Sequence, residues 1–305
     1  MTRVPPAALH LPDGLTARPL TRADSAGVHA VMAAQEQHDS GHVTIEEADI
    51  AADWGRPSYD VSASSVGVLD GDRLVAYAEV MGGDRGDAAV DPAYRGRGIG
   101  TALATWMQER AREGGASVVG MPVPRGSDGD RLLAALGYRV RWESWELVLP
   151  EGAEVPARPL PAGYLIREAT PADHDACWRV VEDAFLEWSV RDRTPLDDWL
   201  AGVVGRPGFQ PWHLRVVTDP SGAVVAVTHV WLAGDDGYVD KLAVRADQRH
   251  RGLAQAMLVD AFEVTAAHGA ARAGLATDSR TGALSLYEKV GMQIASTWVN
   301  RGVDL

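Results

Sequence analysis

Two turns in this chain share one spacing of glycine and arginine, and that spacing suits the holding of a phosphate. The first reads Val90-Asp91-Pro92-Ala93-Tyr94-Arg95-Gly96-Arg97-Gly98-Ile99-Gly100, and the second reads Val244-Arg245-Ala246-Asp247-Gln248-Arg249-His250-Arg251-Gly252-Leu253-Ala254. Aligning Val90 with Val244 brings Arg95 onto Arg249, Gly98 onto Gly252 and Gly100 onto Ala254, an offset of 154 residues. Small residues at these positions let backbone N–H groups approach a ligand without a Cβ in the way. Each turn opens a helix, where unpaired amide donors and the positive dipole end converge on one spot, which favours a phosphate or pyrophosphate. Arg95, Arg97, Arg249 and Arg251 add positive field. No Gly-Lys-Ser/Thr closes either turn, and the dinucleotide Gly-x-Gly-x-x-Gly spacing is absent. The alternative is a tight strand-to-helix turn whose glycines serve only chain geometry. Repetition in matched contexts at one long period counts against it and points to duplication of a whole domain.

The elements that must position these turns repeat as well. In the first half, a strand at 15–19 precedes a helix that starts with Thr21-Arg22-Ala23-Asp24 and runs to about Gln37. Alternating strands at 61–69 and 73–81 flank the Asp70-Gly71-Asp72 turn. A strand at 87–90, a helix at 99–113, a strand at 117–123, a helix at 130–136 and a strand at 138–149 complete the unit. Residues 150–161 carry Pro150, Pro156, Pro159 and Pro161 and read as a semi-rigid linker. The second half repeats the order: strand 164–168, a helix opened by Thr170-Pro171, helix 195–204, strands 213–217, 224–232 and 238–244, helix 253–267, strand 272–276, helix 282–290 and strand 292–303. The expected organisation is therefore an α+β chain of two tandem domains, 1–150 and 162–305, joined by a linker at 151–161. Each domain would be a mixed, mostly antiparallel sheet flanked by helices.

Bulk properties narrow the function. The 305 residues suit two domains of about 150 each. A net charge of −13 argues against a nucleic-acid binder, and no run approaches 18 apolar residues, which argues against a membrane span. Residues 1–14 hold prolines but no apolar stretch of the signal-peptide kind. The single cysteine, Cys177, cannot form an internal disulfide; it fits a reducing cytoplasm and reads as helix packing. No Cys/His cluster has metal-ligand spacing, so no metal is expected.

The strand, the Arg-Gly-x-Gly-Ile-Gly-x-Ala-Leu turn and the helix resemble the acetyl-CoA pyrophosphate loop of the GNAT N-acetyltransferase superfamily. Thr281-Gly282-Ala283-Leu284-Ser285-Leu286-Tyr287-Glu288-Lys289-Val290-Gly291-Met292 is similar to that family's late helix and strand. The tandem layout resembles the mycothiol synthase group. The resemblance implies an N-acetyltransferase that uses acetyl-CoA as co-substrate and acts on an amine of a small molecule or peptide. It implies a cofactor loop in each half, at Val90, Arg95, Gly96, Arg97, Gly98 and Gly100 and at Arg249, Arg251, Gly252, Leu253 and Ala254. Leu242 and Val244 would offer backbone groups to the pantetheine arm.

Tyr287 matches the tyrosine that protonates the departing thiolate, a role open to a phenol within hydrogen-bond reach; packing on the Leu284–Val290 helix face is its other reading. Aligning Gly137 with Gly291 sets Leu133 opposite Tyr287, so the first half keeps the loop and lacks the acid. Where the family often has a Glu, this chain has Tyr238. Asp240, two residues on, is the candidate base, directly or through water, with a solvated strand charge as the alternative. His229 could titrate near neutrality or be structural. Trp178, Glu182, Phe185, Glu187, Trp188 and Trp199 form an aromatic, acidic segment able to receive a cationic amine or to pack as core. A non-catalytic acyl-CoA sensor or scaffold is the rival reading. The chain is expected as a monomer or homodimer.

Overall fold

The computed structural model describes residues 9–305. The proline-containing start of the chain, residues 1–8, lies outside the described residues. In chain order the elements are β1 (Leu15–Arg18), α1 (Ser25–Asp39), α2 (Glu47–Trp54), α3 (Val61–Ser64), β2 (Ser65–Asp70), β3 (Arg73–Met81), β4 (Arg85–Val90), α4 (Ile99–Glu113), β5 (Val118–Pro124), α5 (Asp128–Ala135) and β6 (Arg139–Val148). There follow β7 (Leu165–Glu168), α6 (His174–Leu186), α7 (Leu196–Gly202), β8 (Leu214–Thr218), β9 (Val224–Ala233), β10 (Asp236–Val244), α8 (Leu253–Ala267), β11 (Arg272–Asp278), α9 (Leu284–Lys289) and β12 (Gln293–Asp304). No helix among the described residues is long and apolar enough to cross a membrane.

Two compact units form, and their limits differ from those expected at 150 and 162. One holds the chain up to Glu143 together with Trp298–Leu305; the other holds Ser144–Thr297. The last strand of each half is divided. In the first unit the sheet order is β1-β2-β3-β4-β5, completed by the Trp298–Asp304 part of β12. In the second it is β7-β8-β9-β10-β11, completed by the Ser144–Val148 part of β6. Arg301 anchors the first arrangement, donating to the Asp130 carboxylate and the Tyr138 carbonyl. Proline content marks a linker but says nothing about which sheet accepts a strand, and this is why the boundaries moved. Within each unit one strand pair, β4·β5 or β10·β11, is parallel, and the other pairs with an assigned register are antiparallel.

Both central hairpins are buried on two faces. In the first unit, Ile99, Leu103 and Met107 of α4 recur at helical spacing and pack on Val66, Val75 and Val119. Val28, Val31 and Trp54 of α1 and α2 cover the opposite face around Tyr77 and Ala89. In the second unit, Leu253 and Met257 of α8 pack with Val217, Val225 and Ala226, while Cys177, Val180 and Trp199 of α6 and α7 cover Val216 and Val227. Helices on both faces make β3 and β9 nearly continuously buried, the pattern of a doubly covered strand.

Two local expectations change. Residues 61–64 form a helical turn instead of strand, because the Asp60 carboxylate accepts the Ala63 N–H and starts a helix in a β-branched, serine-rich stretch. Helix α2 was not expected; Glu46 and Asp49 build a reciprocal cap ahead of it.

The divided strands lead to a specific expectation for a chain ending at Thr297. Hydrogen exchange should quicken at 118–124, which lose their β12 partner, while 272–278 stay protected. Loss of protection at 272–278 alone would return residues 298–305 to the second unit.

Candidate functional site

A cleft of about 850 Å³ opens in the second unit where two parallel strands part. β10 pairs with β11 only from Asp236↔Arg272 to Val239↔Leu275. β10 then continues to Val244 along β9, after a bulge at Asp240. Among the described residues its other edge has no strand partner beyond Val239, and its backbone groups there, apart from the Val244 carbonyl that Arg249 engages, are available to a bound molecule. Leu242 and Val244 line the cleft there. Gly252, Leu253 and Ala254 at the start of α8 close one end, and Tyr287 of α9 lies across from them.

The two glycine turns share one conformation. Gly98 and Gly252 cap α4 and α8 in the left-handed region, at φ 86° and 82°. Two residues earlier Gly96 and His250 are left-handed too, at 72° and 62°; for His250 this costs about 1–2 kcal/mol. The Ala102 N–H donates to Gly98 O and the Ala256 N–H to Gly252 O, as helix i→i−4 bonds. The amides of residues 253–255 precede the first intrahelical donor, Ala256 N–H, and have no acceptor within the helix.

The motif arginines are placed less simply than their spacing suggests. Arg249 donates through Nε to the Val244 carbonyl and through both Nη atoms to Glu187, each at 2.7 Å. Its fork is thereby filled, and it ties the turn to the end of α6. Arg251 lies outside the cleft lining, its Nη1 3.3 Å from the Tyr164 hydroxyl. A guanidinium that the motif did not mark, Arg158 of the proline-rich segment, lines the cleft.

Asp240 and Tyr287 reach the same cleft. Burial alone would raise the pKa of Asp240, but Lys241 Nζ donates to Oδ2 and His229 Nδ1 sits 3.0 Å from the same atom, and together they hold it well below the usual carboxylate range. Asp240 is thus a standing anion and a weak base. Burial lowers the pKa of His229 despite Asp240, which keeps the ring neutral with Nδ1–H directed at the carboxylate. Tyr287 is 8% exposed, and burial pushes its hydroxyl up to about 12, so it keeps its proton at neutral pH.

Of the aromatic segment, Phe185, Glu187 and Trp188 line the cleft. Trp178, Glu182 and Trp199 do not. Glu182 is clamped by both Nη atoms of Arg191 and by the Thr194 N–H, Trp178 donates to the Thr194 carbonyl, and Trp199 lies in the core. Glu182 and Trp178 thus brace the loop that follows α6.

The counterpart in the first unit differs at four points. Arg95 donates to Asp39 at 2.7 and 2.9 Å and to Asp128 at 3.1 Å, which sets two carboxylates beside the Gly98 turn. His38 joins Asp39 and Asp128 within 4.8 Å, but Arg95 already holds both carboxylates. Leu132 packs so closely on Gly100 that a Cβ there would fall 2.7 Å from its Cδ2. Leu133 takes the place of Tyr287: its carbonyl accepts from Tyr138 N–H as that of Tyr287 accepts from Met292 N–H. In place of His229 the first unit has Glu79, opposite Asp87 across β3 and β4. Burial, then Asp87, raise Glu79 to about 7, against donation from Tyr59 and Trp54.

The family model described as acetyltransferase (GNAT) matches residues 29–143 and again 174–292. Proteins named mycothiol acetyltransferase are similar over most of the chain. That of Thermobispora bispora is 24% identical over 289 residues, covering 89% of this chain and 93% of that protein; that of Salinispora arenicola is 28% identical over 294 residues, covering 91% and 87%. Among solved structures, a GCN5-related N-acetyltransferase from Sphaerobacter thermophilus has a TM-score of 0.72 at 25% identity, covering 96% of each chain.

The raised Glu79 makes a pH prediction. A carboxyl whose pKa is higher folded than unfolded stabilises fully below the unfolded value of 4.5, and that stability is lost as pH rises through about 7. Glu79→Gln should match the wild type near pH 4.5 and exceed it at pH 8, by on the order of 3 kcal/mol. Denaturant titrations at the two pH values check it; an unchanged difference between the proteins would contradict it.

Proposed function

The chain belongs to the acetyltransferase (GNAT) family, and from that premise we propose that its second unit moves an acetyl group from acetyl-CoA to a primary amine of a small molecule or peptide. The observation that carries this reading is the meeting, in one cleft, of a helix N-terminus capped by a left-handed glycine, an unpaired strand edge and a protonated tyrosine.

The free amides of residues 253–255 take the diphosphate. Leu242 and Val244 bond the pantetheine arm along the β10 edge, as an added strand would. This aims the thioester at the bulge. The Asp240 carboxylate, kept ionised, attracts the ammonium form of the acceptor, and water at that carboxylate carries off one proton. The amine nitrogen then attacks the thioester carbonyl carbon and gives up its second proton to that water as the amide forms. As the C–S bond breaks, Tyr287 gives its hydroxyl proton to the sulfur and regains one from solvent, leaving an amide and the free thiol of CoA. Asp240 thus acts by charge and placement, which suits its depressed pKa better than service as a direct base. Because the related proteins are named mycothiol acetyltransferase, a mycothiol precursor is the first acceptor to try. The first unit, with Leu133 in place of the acid and Asp39 and Asp128 at its turn, is assigned no chemistry.

Two variants separate these roles. Tyr287→Phe should lower kcat at least tenfold and leave the KM for acetyl-CoA nearly unchanged, because the hydroxyl acts only as charge develops on sulfur. Asp240→Asn should raise the KM for the amine. Full turnover in Tyr287→Phe would remove the acid assignment, and acetyl-CoA binding without thiol release on any amine would favour a sensor.

A further inference from the structure

We propose that Arg158 is the guanidinium that grips the diphosphate of the acyl-CoA, a task the arginines of the repeated motif leave open. This rests on the acyl-CoA reading of the cleft. Arg158 lies directly over the turn: a Cβ built on Gly252 would fall 2.5 Å from its Nε, 2.8 Å from its Cγ and 3.2 Å from its Cδ. Glycine at 252 is therefore required twice, for its left-handed backbone and for the room in which the arginine lies.

The segment carrying Arg158 is fastened on both sides. Before it, Val155 packs in the core around Leu258 and Tyr287, and the Pro156 carbonyl accepts from Gln255 Nε2 at 2.7 Å. After it, Leu160 packs with Leu253 and Met257. The prolines on either side, Pro156 and Pro159, limit its freedom further. The linker is thus a strap across the first turn of α8, and it presents one exposed guanidinium to the cleft.

Charge points to what that guanidinium meets. Among the described residues Arg158 has no hydrogen-bond or ion-pair partner, whereas Arg249 is paired with Glu187 and Arg251 turns to Tyr164. A cation held over the positive end of a 15-residue helix without a carboxylate is repelled unless an anion lies between them. A diphosphate satisfies both, taking amide donors from below and a planar fork from above. Among the described residues nothing lies so close to the first turn: a Cβ at Gly98 would meet nothing within 4 Å.

Calorimetric titration of the full chain with CoA and with 3′-dephospho-CoA tests the assignment. Arg158→Ala should weaken both ligands by the same factor, roughly tenfold or more, with Arg158→Lys intermediate and the melting midpoint of the free protein unchanged. Wild-type affinity in Arg158→Ala would overturn the proposal. So would a loss confined to the 3′-phosphorylated ligand, or a lowered melting midpoint without ligand, which would make the side chain a brace of the turn. A wild-type chain that binds no acyl-CoA would take down the acyl-CoA reading itself, an outcome distinct from a variant that binds as well as the wild type.

Discussion

The second unit depends on one interrupted strand pairing. Parallel strands normally stay bonded along their shared length, yet β10 and β11 separate after Val239 and Leu275. A bulge at Asp240 lies at the separation, adding a residue to β10 while its register with β9 is recovered at Lys241. Three consequences follow. The edge of β10 gains free backbone groups, the start of α8 is set at the far end of the gap, and α9 is carried to its other wall by β11. The first unit shows the same parting more strongly, with Arg85↔Gly120 the one registered pair of β4 and β5. The opening is therefore a property of the duplicated fold, and chemistry is decided by the side chains set around it.

Those side chains separate the copies by charge. In the first unit the turn arginine draws Asp39 and Asp128 towards the helix start, and a carboxyl pair, Glu79 and Asp87, occupies the sheet position of His229 and Lys241. In the second, the turn arginine Arg249 pairs with Glu187, the Asp240 carboxylate at the bulge pairs with Lys241, and a guanidinium from the linker faces the helix end. The two turns match in backbone; the fields around them differ.

Much of this was legible in the residues. Helices α4 and α8 fall at the limits their apolar spacing predicts, each directly after its glycine turn. Asp240, Leu242, Val244, Gly252, Ala254 and Tyr287, singled out along the chain, line one cleft. What was not legible depends on partners distant in sequence. No local pattern says that residues 298–304 complete the first sheet, that Glu187 fills the fork of Arg249, or that Arg158 rests on Gly252. The acidic, aromatic stretch around α6 divides between the two readings its composition left open: Phe185, Glu187 and Trp188 line the cleft, whereas Glu182 meets Arg191 and Thr194 in the loop that follows.

The central claim is that one turn of the two works as an anion cradle. The direct measurement is the stoichiometry of acetyl-CoA binding by calorimetry, on the wild type, Gly98→Glu and Gly252→Glu. One molecule per chain, retained in Gly98→Glu and lost in Gly252→Glu, is the predicted result. Two molecules per chain, or binding that survives in Gly252→Glu, would contradict it.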